Sequence, residues 1–317
     1  MGSPAIVVAQ LTGPGSINRT DERWNVHGTD LGHLFEHEGQ LVMVFGDTFG
    51  PDKRDWRSSA LARLSQATQE GLLIGSMVTD ERGWAREILP SRKVDRVEHT
   101  VIPTNGVSAG PRMFLHAMSV RTWGTPGRWE CNHALLAYSD NGGERWDMSR
   151  GPRWGGDSNF VQVAFVPQDD EHVFVFGIPA GRFGGVQLAR VPGPQLLDVD
   201  AYRYWDGSRW QGDARRAETI VPAPVGELSV RWNDALGAWL MAYLDEHRAA
   251  IVFRAAPSLT GPWGRARVVA EATDYPQLYA PYFVPGLSEG HDVHFTMSMF
   301  GPYNVFLMRV SLPQSGL

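Results

Sequence analysis

Gly28-Thr29-Asp30-Leu31-Gly32 and the segment Leu41-Val42-Met43-Val44-Phe45-Gly46-Asp47-Thr48-Phe49-Gly50 carry the reading of the fold. Both segments are apolar in their middles, and the polar turn Glu36-His37-Glu38-Gly39 joins them, which is the pattern of a β-hairpin. An aspartate then lies near the end of each strand. Paired carboxylates are the minimum equipment for acid/base cleavage of a glycosidic bond, whereas an aspartate after a strand is more commonly a turn cap. Glycines on both sides of the apolar-flanked Asp47-Thr48 allow a ligand to approach closely. They move Asp47 towards the first alternative.

Outward from this hairpin the same pattern recurs, and helical periodicity is nearly absent. The first unit takes 31–35, 41–45 and 58–64, and the second 112–120 and 133–138. The third takes 160–166, 172–178 and 185–190, the fourth 228–232, 238–244 and 250–255, and the last 279–284, 292–299 and 304–310. The repeat of roughly 50–75 residues is longer than an ordinary propeller blade. Sheets repeated around an axis nevertheless let an all-β chain avoid long exposed edges. No Gly/Ser/Pro linker separates the units. The expectation is an all-β, five-bladed β-propeller over 24–311, with a β-sandwich as its rival. Residues 1–23 form a closing strand or a tag-derived segment, and 312–317 a tail. The helix-compatible stretches 194–200 and 213–217 are short connectors. Ser139-Asp140-Asn141-Gly142-Gly143-Glu144-Arg145-Trp146 resembles the Asp-box turn of sialidase-type propellers, and 257–263 does the same structural work later.

The chain has 317 residues, 43% of them hydrophobic, enough for a substantial core. Its net charge of −6, with no block of Lys or Arg, argues against nucleic acid as a partner. No run of about 18 apolar residues offers a membrane span. The single cysteine, Cys131, excludes an internal disulfide and a cysteine-rich metal site. Twelve Trp, 35 Gly and 21 Pro suit tight turns and aromatic sugar-binding surfaces, or equally core packing. A secreted or virion-associated protein with its signal peptide absent or removed is expected, and a cytoplasmic location stays open. The sequence is silent on oligomeric state.

In a propeller the first strand of each blade runs nearest the axis. Aligning the units puts Asp30, Asn105, Asn159, Glu227 and Tyr279 at equivalent entry positions around the mouth. Asp47 ends the second strand of the first unit, and Asp245 and Glu246 hold a similar place in the fourth. Inverting hydrolysis needs two carboxyl groups roughly 6.5–9.5 Å apart, and retaining chemistry roughly 5–5.5 Å. Strand ends in one hairpin are compatible with either. The histidines 27, 33, 37, 116 and 133 show no metal-ligand spacing such as His-Glu-x-x-His, so no catalytic metal or other cofactor is required. A structural calcium held by Asn and backbone oxygens in the channel is open.

At these residues the chain also resembles a known family. Trp24-Asn25-Val26-His27-Gly28-Thr29-Asp30-Leu31-Gly32, Phe45-Gly46-Asp47-Thr48-Phe49-Gly50, Trp56-Arg57-Ser58 and Met118-Ser119-Val120-Arg121-Thr122-Trp123-Gly124 are similar to motifs of the DUF4185 family. So are Pro179-Ala180-Gly181-Arg182-Phe183-Gly184, Pro224-Val225-Gly226-Glu227-Leu228-Ser229 and Gly301-Pro302-Tyr303-Asn304-Val305-Phe306. That family looks like glycoside hydrolase family 183, the endo-D-arabinanases, which cleave internal α-D-arabinofuranosyl linkages in mycobacterial arabinogalactan and lipoarabinomannan. The resemblance covers residues 24–311. It implies a five-bladed propeller, D-arabinan as the polysaccharide partner, and an inverting mechanism whose aspartate pair matches Asp30 and Asp47.

The roles expected are Asp30 as general base and Asp47 as general acid, since the apolar neighbours Phe45 and Phe49 raise a carboxyl pKa. Trp24, Trp56, Trp123 and Tyr279 are candidates to stack on the C–H face of a furanoside. His27, Thr29, Arg57, Asn105, Asn159, Arg182 and Glu227 are candidates to bind elsewhere on the substrate, chiefly its hydroxyls. Two other classes compete: a non-catalytic carbohydrate-binding propeller of a cell-wall or phage-tail protein, and a scaffold for protein partners.

Overall fold

The computed structural model describes residues 4–168 and 171–313, so parts of both expected flanking segments, 1–3 and 314–317, lie outside the described residues. Five antiparallel sheets follow one another along the chain and form the blades of a propeller. A short strand β1 (Ile6–Gln10) and a helix α1 (Thr20–Trp24) precede the first blade. That blade holds β2 (Gly28–His37), β3 (Gln40–Phe49), β4 (Ala60–Thr68) and β5 (Gly71–Met77). The second holds β6 (Thr100–Ala109), β7 (Arg112–Trp123), β8 (Trp129–Ser139) and β9 (Arg153–Gly155). The third comprises β10 (Gln162–Gln168), β11 (His172–Ile178), β12 (Gly184–Pro192), β13 (Arg203–Trp205) and β14 (Trp210–Gln211), with β15 (Thr219–Val225) also pairing β12. The fourth has β16 (Leu228–Asn233), β17 (Ala238–Asp245), β18 (Ala250–Ala256) and β19 (Arg267–Glu271). The fifth has β20 (Leu278–Phe283), β21 (Asp292–Met299) and β22 (Asn304–Ser311).

The innermost strands β2, β6, β10, β16 and β20 are buried on both faces over most of their length, so they read as apolar runs rather than alternations. Among the described residues the apolar core divides into five clusters, one at each junction of neighbouring blades. Val44 meets Leu115 between the first and second blades, Phe114 meets Phe165 at the next junction, and Phe176 meets Tyr243 at the third. Phe253 packs on Phe295 between the fourth and fifth, and Phe45 with Leu307 completes the ring. Because each blade is packed on both sides, the ring has no free face.

Closure is made by β1, which pairs antiparallel with β22 and supplies the outer strand of the fifth blade. Beyond it Leu11 N–H donates to Val305 O (2.8 Å), and Thr12 Oγ1 donates to Asn304 Oδ1 (2.9 Å). First and last segments of the chain are thus tied directly.

Two expectations are corrected. The second blade does not begin at 112: residues 100–109 form its inner strand β6, where Pro103, a bulge at Thr104 and Gly106 interrupt the strand pattern. The helix α1 adds one turn that the sequence pattern did not announce. The 139–146 turn is structural, as expected. Gly143 N–H donates to Ser139 Oγ, and Trp146 Nε1 donates to Gly143 O while its ring packs between the first two blades.

Deleting residues 4–10 removes the closing strand and is expected to lower the Tm by roughly 5 °C or more. Thermal denaturation followed by circular dichroism checks this; an unchanged Tm would show that β1 does not close the ring.

Candidate active site

All five inner strands start at the same end of the axis, and their first residues ring one mouth. On β2 the register runs Thr29↔Thr48 and then Leu31↔Phe45, so Asp30 alone faces Gly46 and Asp47 across a β-bulge. Leu31, immediately after Asp30, is held at φ 65°, a left-handed conformation that costs a non-glycine residue energy. On β20, Ala280 after Tyr279 shows the same feature at φ 55°, again beside a bulge. Bulges re-aim side chains at functional ends of sheets, and here they turn Asp30 and Tyr279 towards each other. The Tyr279 hydroxyl donates to Asp30 Oδ2 (2.9 Å).

Gly46 is required by this arrangement, because a Cβ there would overlap Asp30 Oδ1. That oxygen is buried and has no hydrogen-bond partner among the described residues. Asp47 is buried and faces the other way. Its Oδ1 accepts from Thr100 Oγ1 (2.6 Å) on the second blade and from Trp56 Nε1 (2.7 Å). Its Oδ2 carries no hydrogen bond among the described residues and is not among the buried orphan atoms, so solvent reaches it.

These surroundings set the protonation of the pair. Burial, then the charge of Asp47, lifts Asp30 to about 7, against the opposing Tyr279 and Tyr303 hydroxyls. Burial lifts Asp47 to about 6, while the bonds from Thr100 and Trp56 and the charge of Lys93 favour its anion. Both carboxyls are thus raised above the ordinary carboxyl range, and burial is the first cause for each. Burial of Asp47 outweighs the two donors on its Oδ1, so its carboxyl stays above the ordinary range.

A third carboxylate completes the mouth. Glu227, buried at the entry to β16, takes Arg182 Nε (3.0 Å) and Nη2 (2.8 Å) on one oxygen, and Arg182 Nη1 reaches Glu246 (3.1 Å). Burial alone would weaken the charge of Arg182, but Glu227 and Glu246 outweigh it and hold the guanidinium charged. The guanidinium lies 4.9 Å from the centre of the Tyr279 ring.

Aromatic groups border the carboxylates. Phe49 stacks with Trp56 (6.2 Å) and tilts against Tyr303 (5.7 Å). The exposed Trp123 packs edge-on against Trp129 (5.5 Å).

Asp30, Asp47, Arg182, Glu227 and Tyr279 are therefore brought together, and the half-buried His27 leads into β2 beside them. The other expected contacts go elsewhere. Trp24 is buried in the core between the first and fifth blades, with Arg23 over its ring. Thr29 is fully buried, its hydroxyl bonded to that of Thr48 (2.6 Å). Arg57 is buried and donates to the carbonyls of Asn25 (2.8 Å) and Ala85 (3.1 Å). Asn159 donates to Gly177 O and Gly185 O, fastening backbone within the third blade. Asn105 lies far down β6, where its Oδ1 accepts from Phe165 N–H and it lines a cavity of about 140 Å³ at the opposite mouth. Tyr279 is too enclosed to stack on a sugar; its hydroxyl is what it contributes. Among the described residues no group of three or more His, Cys, Asp or Glu side chains could hold a metal, and His33 and His116 are buried separately. Thr100 and Tyr303 were missed as site residues. Nothing around Thr100 marked the start of a strand, whereas Tyr303 lies in a motif already noted for its resemblance.

Fold and site together define a five-bladed propeller with a desolvated carboxyl pair at one mouth. The profile of the family described as "Domain of unknown function (DUF4185)" matches residues 15–309, and the chain belongs to that family. No curated protein sequence matches it. Similar solved structures include a candidate hydrolase from Bacteroides ovatus (12% identity, 91% of this chain and 86% of that one, TM-score 0.63). The exo-β-1,3-galactanase of Phanerochaete chrysosporium follows (8%, 99% and 65%, TM-score 0.59). The α-L-arabinofuranosidase of Podospora anserina is similar over 99% of this chain and 98% of that one (9%, TM-score 0.53). At these identities the likeness is one of fold.

Because the folded protein holds Asp30's proton above the ordinary carboxyl pKa, its ionisation costs stability progressively between about pH 4 and pH 7. Asp30→Asn is thus expected to gain stability over wild type across that interval, reaching roughly 2–4 kcal/mol above it. Urea unfolding at pH 4 and pH 8 checks this; an equal difference at both would contradict the assignment.

Proposed function

We propose that this protein is an endo-acting glycosidase that cleaves α-D-arabinofuranosyl linkages in arabinogalactan and lipoarabinomannan with inversion. The observation that carries the proposal is the Asp30–Asp47 pair, two carboxyls set across one β-bulge at the mouth and both raised by burial towards neutral pH. General acid/base catalysis is most effective with groups poised near the working pH. A binding-only propeller has no use for two desolvated carboxyls, each of which opposes folding when ionised.

The side chains diverge from one bulge, Asp30 towards the fifth blade and Asp47 towards the second. Divergence suits the wider spacing of an inverting pair, with water between one carboxylate and the anomeric carbon. In the resting protein Asp30 is the better proton donor, and the solvent-reached Oδ2 of Asp47 is the better base. Water then attacks the anomeric carbon and gives a proton to Asp47. The bond to the leaving oxygen breaks as that oxygen takes the proton of Asp30. These roles reverse the sequence-based expectation, and the pair itself stays as proposed.

Tyr279 fixes Asp30, while Thr100 and Trp56 fix Asp47, so neither carboxyl rotates freely. The aromatic groups bordering the mouth supply apolar surface for the C–H faces of sugars. The family resemblance supports D-arabinan as substrate, and the propeller glycosidases of similar fold support the reaction class. Such a wall polymer lies outside the cell, which fits a secreted or virion-borne enzyme.

Incubation with mycobacterial arabinogalactan is expected to release oligosaccharides of mixed length, whereas single sugars alone would contradict endo action. Asp30→Asn and Asp47→Asn should each reduce turnover at least about 1000-fold while the fold is kept. Retention of more than a few per cent of activity would remove that residue from catalysis. Azide should restore turnover in the variant that lacks the base, which is predicted to be Asp47→Asn.

A further inference from the structure

Glu227 keeps one oxygen in reserve. Both Arg182 bonds fall on Oε1, whereas Oε2 is buried and has no partner among the described residues, although the residue is only 8% exposed. The carboxylate is prevented from turning to satisfy it. Arg182 is itself anchored by Glu246, by its own N–H on Gly127 O (2.9 Å), and by the Tyr279 ring at one face. Gly127 makes room for this clamp, since a Cβ there would sit 2.9 Å from Glu246 Oε1. Glu227 also lines a small axial cavity of about 20 Å³ whose wall is mostly apolar, from Leu31, Ile102, Met118, Val163 and Leu228. That volume accommodates one water-sized group.

A buried carboxylate oxygen without a donor is costly, and the protein offers it none. An O–H brought in from outside the chain would satisfy it. A carboxylate is an acceptor only, so it selects a hydroxyl and repels a second anion. Asp47 and Glu246 add negative charge nearby, and Arg182 is already engaged by two carboxylates.

We propose that Glu227 is a specificity residue that accepts one hydroxyl of a neutral sugar seated over the axis, with Arg182 as its positioning partner. The proposal rests on the glycosidase reading of the mouth and adds the residue that reads one sugar hydroxyl and disfavours uronic acids there. Placing an acceptor where only a hydroxyl fits discriminates strongly, because an analogue lacking that hydroxyl leaves the buried oxygen unpaired.

Calorimetric titration with neutral D-arabinofuranose oligosaccharides, their singly deoxygenated analogues and their carboxylated counterparts tests this without depending on turnover. Wild type is expected to bind the neutral oligosaccharide, to bind one deoxy analogue at least about tenfold more weakly, and to bind the carboxylated form at least as poorly. Glu227→Gln, whose amide oxygen still accepts from Arg182, should lose about tenfold in affinity and lose discrimination against that same analogue. Equal affinity of wild type for every deoxy analogue would overturn the proposal, as would full affinity in a folded Glu227→Gln or tight binding of the carboxylated form. Absence of neutral-oligosaccharide binding would overturn it as well. Hydrolysis is scored separately: binding through Glu227 without arabinan cleavage sinks the enzymatic reading and leaves this one standing, and cleavage with unaltered Glu227→Gln affinity does the reverse.

Discussion

The mouth of this propeller depends on burying Asp30 and Asp47 across one β-bulge. Burial alone would push both towards neutrality, and each would then be inert as a base. Their surroundings separate them. Asp47 receives Thr100 and Trp56 on one oxygen, whereas Asp30 is opposed by the Tyr279 and Tyr303 hydroxyls and sets its other oxygen against Gly46. Two identical side chains thus meet different surroundings within one site.

That separation is possible only in a closed ring. Asp30 and Asp47 come from the first blade, Thr100 from the second, Arg182 from the third, Glu227 from the fourth and Tyr279 from the fifth. No single sheet could hold these groups, and the left-handed backbone at Leu31 and Ala280 stores strain that packing from both sides must sustain. The junction clusters and the pairing of β1 with β22 supply that support. Arg182 serves the same end electrostatically: without it Glu227 and Glu246 would be uncompensated charges beside the pair.

Much of the fold was legible in the sequence because hairpins repeat with their turns intact. Four of the five inner strands follow from apolar runs. The fifth, β6, escaped because Pro103 and Gly106 break its pattern, and with it went the correct placement of Asn105 and the recognition of Thr100. For the candidate site, Asp47 stood out through its flanking glycines, Asp30 and Tyr279 through the alignment of the repeats, and Arg182 and Glu227 through their motifs. What sequence could not give is which polar side chains are spent on the fold. Arg57, Asn159 and Thr29 sit close in sequence to the functional groups or in similar motifs, yet their bonds go to backbone or to a buried hydroxyl. The donors to Asp47 were likewise hidden, since Thr100 and Trp56 reach it from outside its own hairpin.

Infrared titration of the aspartate carboxyl bands, comparing wild type with Asp30→Asn and Asp47→Asn, tests the central claim most directly. The structure predicts two carboxyls that take up protons near pH 7 and pH 6, the higher vanishing in Asp30→Asn. Two carboxyls titrating at the ordinary value near 4 would contradict the account.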